Sequence, residues 1–133
     1  SLFKPNLKEL REGLKLDIDT DNINDLQRAI SSFRVKQKFE TALVTLAEKG
    51  VITNSRKVKE HLPAHIRSIA DVSGAGDTVI SVAALCRALD CNEIFTAAIA
   101  NLSGGLVCEE VGVVPISKEK LLDEALELEF IKN

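Results

Sequence analysis

The fold of this chain is decided by one stretch, Ile69-Ala70-Asp71-Val72-Ser73-Gly74-Ala75-Gly76-Asp77-Thr78-Val79-Ile80, in which a polar turn leads into an apolar segment. The two glycines allow backbone conformations that other residues avoid, and they allow a ligand to approach closely. A helix that begins just after them would direct its first N–H groups and the positive end of its dipole at that ligand. The stretch therefore predicts an anion site at the start of a buried helix.

Asp77 needs an explanation beyond anion binding. A carboxylate repels a phosphate that is bound beside it, so its presence at this position indicates a chemical role. In phosphoryl transfer, that role is to accept the proton of the attacking hydroxyl. The backbone N–H groups of Ala75, Gly76 and Asp77 would then stabilise the charge that develops on the phosphoryl group. The alternative is a plain helix start that Ser73 or Asp77 caps, with the glycines serving only the turn. The residues alone leave both interpretations open.

Two common nucleotide-binding motifs do not fit this stretch. A dinucleotide fingerprint would place Gly or Ala at the position of Val79. In addition, this stretch lies in the middle of the chain, after a predicted hairpin. A P-loop would continue with Gly-Lys-Ser or Gly-Lys-Thr, and no such sequence follows. A site for phosphoryl transfer remains as the functional interpretation.

The composition is that of an ordinary globular chain. The 133 residues are 45% hydrophobic and 28% charged, which fits one small domain or part of a larger one. The net charge of −3 gives no reason to expect nucleic acid or an acidic membrane as a partner. No apolar run reaches the roughly 18–20 residues that span a bilayer, and the first residues do not form a secretory signal.

The cysteines and histidines suggest no metal site. Cys86, Cys91 and Cys108 lack the spacing of metal ligands, and we expect them to be reduced packing residues, which favours a cytoplasmic location. His61 and His65 lie in a predicted strand or loop, and we expect them to face solvent.

Hydrophobic periodicity and turn residues predict an α/β chain with a mostly parallel sheet. The predicted helices are Leu7–Leu14, Ile23–Lys38, Gly76–Leu89, one that begins at Asn92-Glu93, and Leu121–Leu128. The predicted strands are Leu2–Lys4, a buried parallel strand at Thr41–Leu46, and a hairpin formed by residues 51–53 and 58–62. The helix after Gly76 is apolar on nearly all sides, which predicts complete burial. Gly104-Gly105 should either kink its helix or allow close packing.

Two further segments could bind phosphate. Asn6, followed three residues later by Glu9, is similar to a capping box, which the physical argument favours. The same side chains could also hold hydrated Mg²⁺ and phosphate oxygens at the helix start. Thr45-Leu46-Ala47-Glu48-Lys49-Gly50 ends a predicted strand, where ligands bind in open α/β sheets. Thr45 could donate to a phosphate there, although a simple strand-turn-strand is an equally good interpretation.

Taken together, these segments resemble the PfkB (ribokinase-like) family of sugar kinases. Asp71–Thr78 resembles the family's Asp-Thr-x-Gly-Ala-Gly-Asp signature, Asn6-x-x-Glu9 its Asn-x-x-Glu motif, and Thr45–Gly50 its Thr-x-Gly-x-x-Gly nucleotide loop. The chain departs from the family pattern at Ala47, where Gly is usual, and at Val82, where many members have a smaller residue. The resemblance implies the C-terminal half of a ribokinase-like three-layer α/β/α fold.

The resemblance also implies an activity, the transfer of a phosphoryl group from ATP to a sugar hydroxyl with Mg²⁺. It implies that Asp77 is the catalytic base and that Gly74, Ala75 and Gly76 form the anion hole. The residues implied to bind the nucleotide, its phosphates or Mg²⁺ are Asn6, Glu9, Thr45, Gly50, Asn101 and Gly105. A weaker implication is a site for a monovalent cation such as K⁺, formed by Asp71 and Ser73 with the carbonyl groups of Val107, Glu110 and Gly112.

Within the family, Ala100–Cys108 and Val111–Ile116 make the chain similar to the heptose kinase module of ADP-heptose synthesis, which serves the lipopolysaccharide core. That similarity implies the C1 hydroxyl of D-glycero-β-D-manno-heptose 7-phosphate as the acceptor. A kinase for another sugar or nucleoside, of the ribose or fructose type, and a non-catalytic nucleotide-binding module remain the alternatives.

Family members are longer than this chain, and their N-terminal half supplies the lid and most of the sugar-binding residues. We therefore expect residues 1–133 to be the nucleotide-binding portion and to partner the N-terminal half of the same kinase. We also expect this portion to self-associate as a homo-oligomer and not to turn over sugar alone.

Overall fold

The computed structural model describes residues 1–15, 21–64, 74–109, 112 and 114–128. The chain divides into two compact units, Ser1–Pro63 and Ala64–Asn133. The elements of the first unit are β1 (Leu2–Phe3), α1 (Leu7–Leu14), α2 (Ile23–Gln37), β2 (Thr41–Thr45), a short 3₁₀ turn (Ala47–Lys49), β3 (Val51–Ser55) and β4 (Lys59–Leu62). Those of the second unit are α3 (Ala75–Ala88), α4 (Glu93–Cys108) and α5 (Lys118–Glu127). The α/β class is confirmed.

The strands form one sheet in the order β1-β2-β3-β4. β1 runs parallel to β2, whereas the pairs β2–β3 and β3–β4 are antiparallel. The predicted hairpin is confirmed, but the sheet that the described strands form is mixed, and the expectation of a mostly parallel sheet is wrong for them. The reason is connection length. Only a few residues join β2 to β3, and a parallel pair needs a crossover of about a dozen or more residues, which α1 and α2 supply between β1 and β2.

The core of the first unit lies between α2 and the sheet. Leu26 and Ile30 of α2 are completely buried and pack with Val44 of β2, Ile52 of β3 and Leu10 of α1. Each such side chain stabilises the fold by roughly 1.5–3 kcal/mol relative to an exposed one. The continuous burial of residues 41–44 confirms the prediction of a buried strand, since both faces of β2 are covered.

In the second unit, α3 packs closely against α4. A Cβ atom added at Gly104 would lie 2.7 Å from Val79 Cγ2, which is closer than real Cβ contacts. The helix runs without interruption from Glu93 to Cys108. Gly104 therefore allows close helix packing and does not kink the helix.

The expectation that α3 is buried on all sides is wrong. Val79, Ala83 and Cys86 are buried, but the side chains of Leu85 and Leu89 are 62% and 69% exposed. The buried residues are spaced four and three apart and therefore form a single stripe along the helix. Leu85 and Leu89 lie outside that stripe. A helix with apolar residues on every side can still pack against other elements on only some of those sides.

Candidate functional site

The turn at Gly74, called the glycine turn below, leads directly into α3. Gly74 is the N-cap residue, and it has the left-handed conformation with φ of 76°. Residues other than glycine rarely adopt this conformation. The first backbone hydrogen bond of the helix is donated by Thr78 N–H to Gly74 O at 3.0 Å. The N–H groups of residues 75–77 precede that bond and point out of the helix end, where an anion would be attracted.

Asp77 is the third residue of α3, and its side chain is exposed. Because Gly74 is the N-cap, the interpretation in which Asp77 caps the helix is wrong. Ser73, the other candidate cap, lies outside the described residues, as does Asp71. The helix end suited to an anion therefore carries a solvent-accessible carboxylate within its first turn.

Helix α4 lies beside this turn. A Cβ atom added at Gly104 would be 3.8 Å from Ala75 O, so the C-terminal part of α4 adjoins the first turn of α3. Asn101 and Gly105 are four residues apart and share one face of α4, and both are half-buried. This arrangement brings the segment that carries Gly105 next to the glycine turn.

The proposed cation site is only partly described. Val107 is buried near the end of α4, and Gly112 has φ of 83°. Glu110 lies outside the described residues together with Asp71 and Ser73.

In the first unit, Asn6 and Glu9 form a complete capping box. Asn6 Oδ1 accepts from Glu9 N–H at 2.8 Å, and Glu9 Oε2 accepts from Asn6 N–H at 2.8 Å. The capping interpretation is confirmed. One oxygen of the exposed Glu9 carboxylate lies outside the cap, and so the pair fits contact with a hydrated Mg²⁺ better than direct coordination by both side chains.

Thr45 lies directly beside Asn6. The two residues form a parallel β-bridge, and Thr45 N–H donates to Pro5 O at 3.1 Å. Both therefore stand at the carboxyl ends of the adjacent parallel strands β1 and β2, the edge at which open α/β sheets bind ligands. The structure thus brings Asn6, Glu9 and Thr45 together.

The loop after Thr45, residues 46–50, is a closed turn between β2 and β3. Leu46 N–H donates to Gly50 O at 2.8 Å, and Gly50 N–H donates to Ala47 O at 3.1 Å. Gly50 has φ of 92° and ψ of −138°, a conformation that requires glycine. Ala47 has φ of 53°, which is strained for a residue with a Cβ atom. The strand-turn-strand interpretation is confirmed as geometry.

The sequence-based expectation for His61 is wrong. This side chain is half-buried on β4, and its Nε2 atom lies 2.6 Å from Lys49 O in the loop. The only signal for this in the sequence is strand register, because His61 lies opposite the fully buried Ile52 in the hairpin. His65 lies outside the described residues.

Lys49 makes a second contact through its ammonium group, which donates to Asp21 Oδ1 at 2.5 Å. This hydrogen bond and the attraction between the two charges lower the pKa of Asp21 below its ordinary value. The ion pair consequently persists to lower pH than an isolated carboxylate would allow, and its small stabilising effect is lost only as the pH falls through that lowered pKa.

Within the described residues, neither the cysteines nor a cluster of metal-ligating side chains adds a residue to the candidate site. The three cysteines are free thiols, and burial, followed by the proximity of Cys91, raises the pKa of Cys86. Within the described ranges, no group of three or more His, Cys, Asp or Glu side chains could hold a metal ion. None of the helices in those ranges is both long enough and apolar enough to cross a membrane.

The candidate residues fall into two groups, one in each unit. Asn6, Glu9, Thr45 and the loop that ends at Gly50 belong to the first unit. Gly74 and the first three residues of α3, together with Asn101 and Gly105, belong to the second.

Curated relatives match most of this chain. The bifunctional protein HldE of Koribacter versatilis is 34% identical over 121 residues, which cover 91% of this chain and 24% of that protein. The bifunctional protein HldE of Methylococcus capsulatus is 35% identical over 122 residues, which cover 91% of this chain and 25% of the relative. The chain therefore spans about a quarter of the length of these relatives.

Solved structures share the fold. Phosphofructokinase-2 from Escherichia coli in complex with potassium has a TM-score of 0.88 at 18% identity, covering 97% of this chain and 41% of that one. Ribokinase from Thermotoga maritima has a TM-score of 0.75 at 18% identity, covering 92% of this chain and 42% of that one. The ribokinase-like fold is thereby confirmed. The model of the pfkB family of carbohydrate kinases matches residues 1–120, and this chain belongs to that family.

Proposed function

We propose that this chain is the nucleotide-binding portion of an ATP-dependent sugar kinase. The observation that carries the proposal is the start of α3, where an exposed carboxylate, Asp77, follows a left-handed Gly74 within one helical turn. A site that only bound phosphate would gain nothing from this carboxylate, because it repels the anion. Membership of the pfkB family supports the same interpretation.

In the proposed reaction, the oxygen of the sugar hydroxyl attacks the γ-phosphorus of ATP while Asp77 accepts the proton of that hydroxyl. The N–H groups of Ala75, Gly76 and Asp77 stabilise the negative charge on the transferring phosphoryl group. The bond between the γ-phosphorus and the β–γ bridging oxygen breaks, and that oxygen leaves with the bonding electrons as part of ADP, so the products are ADP and a sugar phosphate.

The remaining candidate residues are proposed to have the roles that the family resemblance implies. Glu9 and Asn6 would bind a hydrated Mg²⁺, which supplies positive charge to the nucleotide phosphates, and Thr45 and Gly50 would contact those phosphates. Asn101 and Gly105 would border the adenine. The potassium in the Escherichia coli phosphofructokinase-2 structure supports a proposal that Asp71 and Ser73 help to bind K⁺.

For the acceptor, we propose the C1 hydroxyl of D-glycero-β-D-manno-heptose 7-phosphate. The relatives named HldE support this choice, and they agree with the sequence resemblance to the heptose kinase module. Assaying the full-length kinase against this heptose phosphate, ribose, fructose 6-phosphate and nucleosides would test it. Preference for any other acceptor would overturn the substrate proposal and leave the kinase proposal intact.

The role of Asp77 is tested by Asp77→Asn in the full-length kinase that we propose contains this chain. We expect kcat to fall by about 10²–10⁴, since amide nitrogen cannot accept the proton, while the Kd for ATP changes little. Initial rates of ADP release and calorimetric ATP titration measure the two quantities.

The matched control is Glu119→Gln. Glu119 is also an exposed acid in the first turn of a helix, α5, so this variant removes the same charge from the first turn of another helix. We expect its kcat to stay within about twofold of wild type, because a helix-terminal charge contributes little by itself. Near-wild-type activity of Asp77→Asn would refute the assignment of the base.

A further inference from the structure

The loop of residues 46–50 is held from outside by contacts to Lys49. Its carbonyl oxygen is 2.6 Å from His61 Nε2 on β4, and its ammonium group pairs with Asp21, just before α2. Both partners are distant in sequence, at separations of 12 and 28 residues. The loop is therefore tied to two neighbouring segments of the first unit through one residue.

Backbone hydrogen bonds close this loop from within, but the loop also contains a residue in an unfavourable conformation, which outside contacts can help to hold. It contains a single 3₁₀ turn of three residues, and Ala47 within it is left-handed. A left-handed alanine is less stable than a right-handed one, because its Cβ atom comes too close to a neighbouring carbonyl oxygen. Relaxation of Ala47 would lower the free energy of its backbone, and contacts from outside the loop oppose such a change.

Of the two contacts, the one from His61 is the stronger constraint. The Asp21 side chain is 84% exposed, so solvent and salt screen its ion pair with Lys49. The contact from His61 is half-buried and acts directly on the backbone. A carbonyl oxygen can only accept a hydrogen bond, and Nε2 of His61 must therefore carry a hydrogen.

We propose that His61 is a positioning residue, which donates from Nε2 to Lys49 O and holds the loop of residues 46–50 in the conformation that receives the nucleotide phosphates. This inference rests on the proposed function of the loop. It assigns to His61 a role without ligand contact, exerted through the backbone of Lys49. Because the loop is already ordered, less conformational entropy is lost when ATP binds.

The test compares His61→Gln with His61→Leu in this chain. Glutamine carries an amide nitrogen at the position equivalent to Nε2 and can still donate to Lys49 O, whereas leucine has similar bulk and no donor. We expect His61→Leu to weaken the binding of ATP with Mg²⁺ about five- to tenfold, the effect of one hydrogen bond. His61→Gln should recover most of the wild-type Kd in calorimetric titrations.

A second readout measures the loop without any ligand. Amide NMR signals of Lys49 and Gly50 should broaden or shift in His61→Leu and return toward wild type in His61→Gln. The matched control is Glu60→Leu, because Glu60 is exposed on β4 and alternation along a strand points it to the opposite face from His61. This control should change neither the loop amides nor the Kd.

The two readouts separate the possible failures. Unchanged loop amides in His61→Leu would overturn the role of His61, whether or not ATP binds. Normal loop amides in all variants together with equal Kd values would do the same. Failure of the wild-type chain to bind ATP would instead overturn the proposed function of the loop and the phosphate part of this inference.

Discussion

Asn54 shows how one buried polar residue can join a helix to a sheet. It lies on β3 with no exposed surface. Its Nδ2 donates to Gln27 Oε1 at 2.7 Å and to Ser31 Oγ at 3.0 Å, and its Oδ1 accepts from Arg34 Nε at 3.1 Å. All three partners lie on α2. Because a buried amide is costly unless its hydrogen-bonding groups are satisfied, this residue favours one position of α2 along the sheet.

We expect Asn54→Ala to lower the free energy of unfolding by about 2–3 kcal/mol, since it removes these bonds and leaves buried partner groups unsatisfied. Urea denaturation followed by circular dichroism measures this quantity. The control is Asn24→Ala, which changes an exposed asparagine within α2 and should alter stability by less than about 0.5 kcal/mol. Equal effects of the two substitutions would contradict the role of Asn54.

Contacts of this kind could not be predicted from the sequence. The hairpin and the caps are local, so Asn6 with Glu9 could be predicted as a capping box from their spacing alone. The partners of Asn54 are 20 to 27 residues away, and those of Lys49 are 12 and 28 residues away. Such pairs are decided by how the elements pack. For this reason His61 was expected to face solvent, while the structure places it against the loop.

The ends of the helices are also informative. Helix α2 ends at Gln37, and its C-cap residue, Lys38, adopts the left-handed conformation with φ of 61° and donates its N–H to Arg34 O and Val35 O. Glycine is the usual residue at such a helix end, because it has no Cβ atom to clash with the carbonyl. The sequence correctly predicted the end of this helix to within one residue, although its left-handed lysine carries no glycine signal.

We predict that Lys38→Gly raises the free energy of unfolding by about 0.5–1 kcal/mol, because relief of the left-handed strain exceeds the greater flexibility of the unfolded chain. Lys36→Gly is the matched control. It makes the same change two residues earlier at an exposed helical position, where glycine should cost about 0.5–1 kcal/mol. Opposite signs in urea denaturation would support the prediction, and two losses of stability would contradict it.

At the scale of the molecule, the candidate residues are divided between two units of the chain. The sequence predicted both groups from their motifs, and within each unit the structure brings members together, as with Asn6 and Thr45. The mixed sheet and the exposed side of α3 were not predicted. Both depend on which elements become neighbours, and apolar composition gives little information about that.

The chain alone should bind ATP without phosphorylating a sugar. It spans 41% of the Escherichia coli phosphofructokinase-2 chain, and its candidate residues are assigned to the nucleotide, its phosphates, the metal and the proton transfer. We expect calorimetry to detect binding of ATP with Mg²⁺, and a coupled ADP-release assay with heptose 7-phosphate to show no steady turnover. Sustained turnover by the purified 133-residue chain would contradict this division of roles.

The contact between α3 and α4 also restricts the order in which mutations can accumulate. A Cβ atom at position 104 would meet Val79 Cγ2 at 2.7 Å, so a lineage that replaces Gly104 first must pass through an overpacked and destabilised protein. A lineage that first replaces Val79 by alanine loses packing but gains space for a side chain at position 104. The two positions should therefore vary together among functional descendants of this chain, with residue 79 becoming smaller before residue 104 becomes larger.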